Sequence, residues 1–129
     1  MLEKYSGKVK LVMKQYPIGG HRFARPAALA ALAAHRQGRF WEFHAGLFRN
    51  YRKMNEQTIV ATARDLGLDM ELFEKDRKGP AVRSNLDRDV AQANSIGVRG
   101  TPSIFINGRI VSQRSLEVFS SMIEEKLNR

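Results

Sequence analysis

GVRGTPSIFINGR, residues 97–109, decides how this chain is read. Residues 103–106 are a short run of apolar, β-favouring side chains. Asn107-Gly108 follows at once, and it is the strongest short hairpin signal in the chain, because a two-residue type I′ turn needs positive φ at both positions. Residues 109–112 are therefore expected as the antiparallel partner strand. Ahead of the hairpin, Thr101-Pro102 leads into the first strand, where a proline lacking its N–H is tolerated. Gly97 closes whatever precedes it as a helix stop.

Upstream, Gly79-Pro80 opens a helix running to about Ile96, with Val82, Leu86, Val90 and Ala93 on one face. Asp69 can cap a short helix through Asp76, and Asn55 a helix over residues 56–66 with Ile59, Val60, Ala63 and Leu66 in one stripe. Residues 40–51 place Phe40, Phe43, Leu47 and Tyr51 at 3/4 spacing, with Trp41 and Phe48 beside them, and this aromatic face is expected in the core or in helix packing, with a partner groove as the alternative. Residues 27–37, opened by Arg25-Pro26 and stopped by Gly38, are alanine-rich and strongly helical. Residues 8–16 alternate Val9, Leu11 and Met13 with lysines, which predicts a strand ended by Pro17, Gly19 and Gly20. Downstream, Ser115 caps a last helix over residues 116–127 with Val118, Phe119, Met122, Ile123 and Leu127 inward. A strand, a helical insertion, a hairpin and a closing helix make a mixed α/β sheet with helices on its faces.

Composition excludes some functions. The 129 residues are 43% hydrophobic and 27% charged, the make-up of a globular chain with room for a core. There is no cysteine, so the chain itself carries no disulfide, thiolate nucleophile or Cys-ligated metal. The longest apolar run, residues 27–34, is too short to span a bilayer, so no membrane partner is expected. The N-terminus has no apolar h-region, which leaves the compartment open. All of the +9 net charge lies in residues 1–55, where eleven Lys or Arg stand against Glu3 and Glu42. Lys4, Lys8, Lys10, Lys14, Arg22, Arg25, Arg49, Arg52 and Lys53 could meet phosphates. They are spread along the chain without a recognition motif, and nucleic acid is not the expected partner.

In order and spacing, GKVKLVMKQYPI, His21 with the alanine-rich helix, GRFWEFHAGLF and IGVRGTPSIFINGR resemble the DsbA-like thiol-disulfide oxidoreductases. The resemblance covers residues 7–127. It implies one thioredoxin-like, DsbA-type α/β domain over residues 1–129, with the helical insertion at about 25–96. It also implies N-terminal truncation, with the central strand and its Cys-x-x-Cys missing. Thr101-Pro102 becomes the cis-proline site, and Gly100, Thr101 and Pro102 become the substrate-binding residues for an extended peptide. Neither redox cysteine maps onto this chain, so no catalytic residue follows and a cysteine-free chain is expected to be redox-inactive alone. The alternative is a non-redox peptide-binding or dimeric assembly module using the same loop. A sheet lacking its central strand should recruit another chain, so a homodimer is expected. A glutathione-binding branch of the fold could use Thr101 and Pro102 as well, but the short insertion fits it less well.

His21, His35 and His44 lack any metal-ligand spacing, and neither a metal nor a cofactor is expected. No Walker loop, dinucleotide fingerprint or Ser/His/Asp pattern is present.

Overall fold

The computed structural model describes residues 3–17, 21–112 and 115–128. The chain divides into two compact units, Lys14–Arg99 and the paired segments Met1–Met13 with Gly100–Arg129.

The first unit is helical: α1 (Ala24–Arg36), α2 (Phe40–Arg49), a 3-10 turn (Tyr51–Lys53), α3 (Glu56–Asp65), α4 (Met70–Arg77) and α5 (Pro80–Ser95). The starts are set locally. Asn55 Oδ1 accepts the Thr58 amide at 2.8 Å and Asp69 Oδ1 accepts the Leu72 amide at 3.1 Å, each satisfying an orphan donor of the first turn. The alanines of α1 let four other helices pack closely around it, and Ala30, Ala33 and Ala34 are fully buried. Phe43 and Phe73 meet across this core at 5.8 Å between ring centres, with Ile59 and Ala63 beside them. Each such large side chain contributes about 1.5–3 kcal/mol on burial. A second cluster, Ala28, Leu32, Val82 and Leu86, fastens α5 to the other side of α1. Gly46 lies where α2 meets α3, so close that a Cβ there would stand 2.7 Å from the Thr62 methyl.

The second unit carries the hairpin β1 (Phe105–Ile106) and β2 (Arg109–Ile110), followed by α6 (Leu116–Leu127). Phe105 pairs with Ile110 and Ile106 with Arg109. Asn107 and Gly108 have φ of 47° and 84°, the two positive values that the tight turn requires. The Val111 amide extends the hairpin with a 2.8 Å bond to the Ile104 carbonyl. Ser115 caps α6 through the Val118 amide at 3.2 Å. Buried Tyr5 is tied to α6 by its hydroxyl, which donates to Glu124 at 2.8 Å.

Three expectations are corrected. Residues 8–16 form no ladder: the amides and carbonyls of residues 9–13 have no hydrogen-bond partner among the described residues. Residues 14–16 are instead held along α5, where Asp89 accepts the Gln15 amide at 3.1 Å and Tyr16 donates to Asn94 at 2.9 Å. Alternation measures suitability for a sheet, but a strand exists only beside a partner. Trp41, Phe48 and Tyr51 are exposed, since Phe43, Gly46 and Leu47 make the buried side of α2, with half-buried Phe40 packed beside them. Leu127 lies exposed at the end of α6, while Ile123 is buried and Val118, Phe119 and Met122 are half-buried. Gly19 and Gly20 lie outside the described residues.

Candidate functional site

Within the hairpin unit, the loop of Gly100, Thr101, Pro102 and Ser103 leads directly into β1. The Thr101–Pro102 peptide bond is cis. Gly100 is half-buried, whereas Thr101, Pro102 and Ser103 are exposed. The Ser103 hydroxyl donates to the Gly100 carbonyl at 2.7 Å, a local side-chain bond that fastens the bend. Neither the amide nor the carbonyl of Thr101 has a hydrogen-bond partner among the described residues, and the same holds for the backbone of Ser103. A donor and an acceptor thus stand together in solvent at the entry to a strand. The residues that the resemblance singled out are contiguous, so the structure brings them together by chain connectivity. Sequence reading missed Ser103, although Ser, like Asx, is a known closer of short turns.

This loop offers backbone groups to an extended chain; it holds no thiol, imidazole or carboxylate, and of its two hydroxyls that of Ser103 is already bonded to the Gly100 carbonyl. Elsewhere the histidines do not converge on a metal geometry, and no potential metal cluster occurs among the described residues. His35 and His44 both lie against Phe40, at 6.1 and 5.5 Å between ring centres. Burial pushes the His44 imidazole below its usual range.

Two of the nine basic residues singled out in the sequence are held by carboxylates. Lys14 pairs with Asp89 at 3.8 Å and Arg25 with Asp87 at 3.0 Å. The most enclosed cation lies in the second half of the chain. Arg77 is only 9% exposed, and it donates to Glu74 at 2.9 Å and also to Glu56, joining the start of α3 to α4. Its hydrogen bond holds the Glu56 carboxyl below the usual range. Burial pushes Glu74 upward, but the Arg77 contacts outweigh this and Glu74 also ends below it. The cluster ties α3 to α4 through Nε and Nη2 of Arg77.

The family model of the DSBA-like thioredoxin domain matches residues 1–124. This chain belongs to that family. A solved thioredoxin-like oxidoreductase from Silicibacter pomeroyi is similar to 89% of the chain and 66% of its own, with TM-score 0.72 and 28% identity. The fold is therefore thioredoxin-like, α/β of the DsbA type. Among curated relatives, a probable disulfide bond formation protein D of Bacillus cereus is 26% identical over 82% of this chain and 53% of its own length. A Na(+)/H(+) antiporter NhaA of Herminiimonas arsenicoxydans is 32% identical over 81% of this chain, and one of Salinispora arenicola 37% over 78%. The chain spans only 17% and 16% of those two antiporters.

Proposed function

We propose that this DSBA-like domain serves thiol-disulfide exchange by holding an extended protein segment at Gly100, Thr101 and Pro102, and that the cysteine-free chain is redox-inactive alone. The observation that carries this reading is the unpartnered amide and carbonyl of exposed Thr101, in the loop four residues ahead of β1. An extended peptide meeting both groups adds a short strand to the hairpin unit, with backbone bonds supplying affinity. The thiolate that attacks a disulfide must come from cysteine, which none of these 129 residues provides.

The test is a titration of the isotope-labelled chain with an eight-residue extended peptide, following the Thr101 amide resonance. A saturable shift is expected. Replacing the facing peptide N–H by an ester oxygen should weaken binding by about 2–12-fold, corresponding to a net hydrogen bond of about 0.5–1.5 kcal/mol. No shift at Thr101 with any extended peptide overturns the binding site. Dithiothreitol-driven reduction of insulin should show no rate above background, and clear turnover would overturn the redox part alone.

A second reading, a homodimer, is favoured by one observation. Leu11, Val12 and Met13 are 47%, 60% and 41% exposed in a segment without backbone partners among the described residues. Apolar side chains on both faces suit a strand buried on both sides. Sedimentation should give a dimer at micromolar concentration, and a well-folded monomer there removes this reading.

A further inference from the structure

The outer side of α2 carries a ridge that the thioredoxin-like reading does not use. Trp41, His44 and Phe48 follow at spacings of three and four, and Tyr51 continues the line in the 3-10 turn. Trp41, Phe48 and Tyr51 are 47%, 64% and 61% exposed. Half-buried His44 joins the row: its ring centre lies 4.7 Å from that of Phe48 and 6.0 Å from that of Trp41. Contiguous exposed aromatic surface of this kind marks an interaction site more often than chance exposure. Trp, Tyr and Arg are also the residues that most often anchor protein interfaces.

Charge indicates what covers the ridge. From Arg39 to Met54 there are four cations, Arg39, Arg49, Arg52 and Lys53, and one carboxylate, Glu42, which is already paired with Arg39. Arg49 and Lys53 make no ion pair among the described residues. Arg52 donates to the Tyr51 hydroxyl at 2.8 Å and lies over that ring, 5.5 Å from its centre, which fixes a cation at one end of the ridge.

We propose that this face of α2, from Trp41 to Tyr51, is a docking surface for an acidic amphipathic helix of another protein. The partner would lay a Leu- or Met-type stripe along Trp41, His44 and Phe48, in the ridge-and-groove manner of helix pairs. Its flanking carboxylates would face Arg49, Arg52 and Lys53. Two other anionic surfaces fit less well. Bases stack on free ring faces, and in the middle of the ridge one face of His44 is already taken by Phe40, stacked at 19° between their planes, which interrupts the row. An anionic bilayer would take in Glu42, which shares its helical turn with Trp41.

Trp41 is the sole tryptophan, so its emission reports this face directly. The probe is a 16-residue helix with leucines at 3/4 spacing and glutamates elsewhere. A control peptide has the same leucines with lysines. The glutamate peptide should shift Trp41 emission to shorter wavelength and saturate with Kd of about 10–100 μM, the range of a small transient helix contact. Phe48→Ser and Arg49→Glu change exposed side chains, and thermal melting will check that both variants stay folded. Each should weaken binding at least about tenfold, the scale of one interface anchor or charge pair. A lysine peptide that binds equally well overturns the proposal, as does the absence of any shift up to about 1 mM. A shift given by anionic phosphatidylglycerol vesicles or by oligothymidylate but not by the glutamate peptide also overturns it, and names the surface instead. The Thr101 titration is independent of these outcomes.

Discussion

Gly46→Ala should reverse its effect on stability according to what stands at position 62. In the helix interior this exchange by itself gains about 1 kcal/mol, because alanine loses less backbone entropy than glycine. Here the new Cβ would stand 2.7 Å from Thr62 Cγ2, well inside the ordinary carbon–carbon separation of about 3.5–4.0 Å. Thr62 is buried and its hydroxyl donates to the Thr58 carbonyl at 2.8 Å, so the methyl cannot swing away without breaking that bond. Overpacking of this kind costs about 1–3 kcal/mol, which outweighs the helix gain and leaves Gly46→Ala destabilising by about 1 kcal/mol. Thr62→Ser keeps the hydroxyl and loses one buried methyl, at about 0.8 kcal/mol. In that background the nearest atoms to the new Cβ are Arg49 Nη2 at 3.7 Å and the position-62 Cβ at 3.9 Å, which are ordinary contacts. Gly46→Ala should then stabilise by about 1 kcal/mol, and the coupling between the two sites should be about 1–3 kcal/mol. The assay is urea unfolding of the four variants followed by far-UV circular dichroism, comparing midpoints at unchanged slope. A higher midpoint for Gly46→Ala with Thr62 in place would refute the close approach of α2 and α3. Equal losses in both backgrounds would do the same.

Arg77→Met keeps an apolar stem beside Phe73 and removes the charge. Glu56 and Glu74 have side chains 56% and 35% exposed and regain water, so the loss should be about 1–2 kcal/mol and not the 3–5 of a fully buried pair. Both carboxyls titrate below their ordinary value of 4.5, so their contribution is present above that pH and is lost as the pH falls through the depressed values. The gap between wild type and Arg77→Met should therefore narrow in acid, and a gap in urea midpoint that persists unchanged at low pH contradicts the ion-pair account. His44 is depressed by burial below its ordinary 6.5, so folding favours the neutral ring. Stability from this residue is full above pH 6.5 and declines as the pH falls through the folded value. His44→Phe should weaken the dependence of the unfolding midpoint on pH between about 7 and 5, and a nuclear magnetic resonance titration that places His44 above the usual histidine value would disprove the shift.

The local punctuation of the chain was legible in its sequence. Asn55, Asp69 and Ser115 each cap the helix they precede, and Asn107-Gly108 makes the hairpin turn, because these signals act over two or three residues. The order GVRGTPSIFINGR also placed Gly100, Thr101 and Pro102 together, so the candidate loop needed no long-range contact to be found. What the loop offers was not legible. The Ser103 hydroxyl takes the Gly100 carbonyl while the amide and carbonyl of Thr101 find no partner among the described residues, and only the folded backbone shows which groups remain unpaired.

Tertiary structure decided everything that depends on a neighbour distant in sequence. Residues 8–16 alternate as a strand should, yet residues 9–13 find no ladder partner and Gln15 and Tyr16 bond to α5. The aromatic residues of α2 divide between core and solvent because the other helices cover only the side of Phe43 and Leu47. Arg77 reads as one more surface charge until Glu56, twenty-one positions away, is folded against it. Hydrogen bonds within a turn are determined by adjacent residues, whereas burial and pairing are properties of surfaces that meet only once the chain has folded.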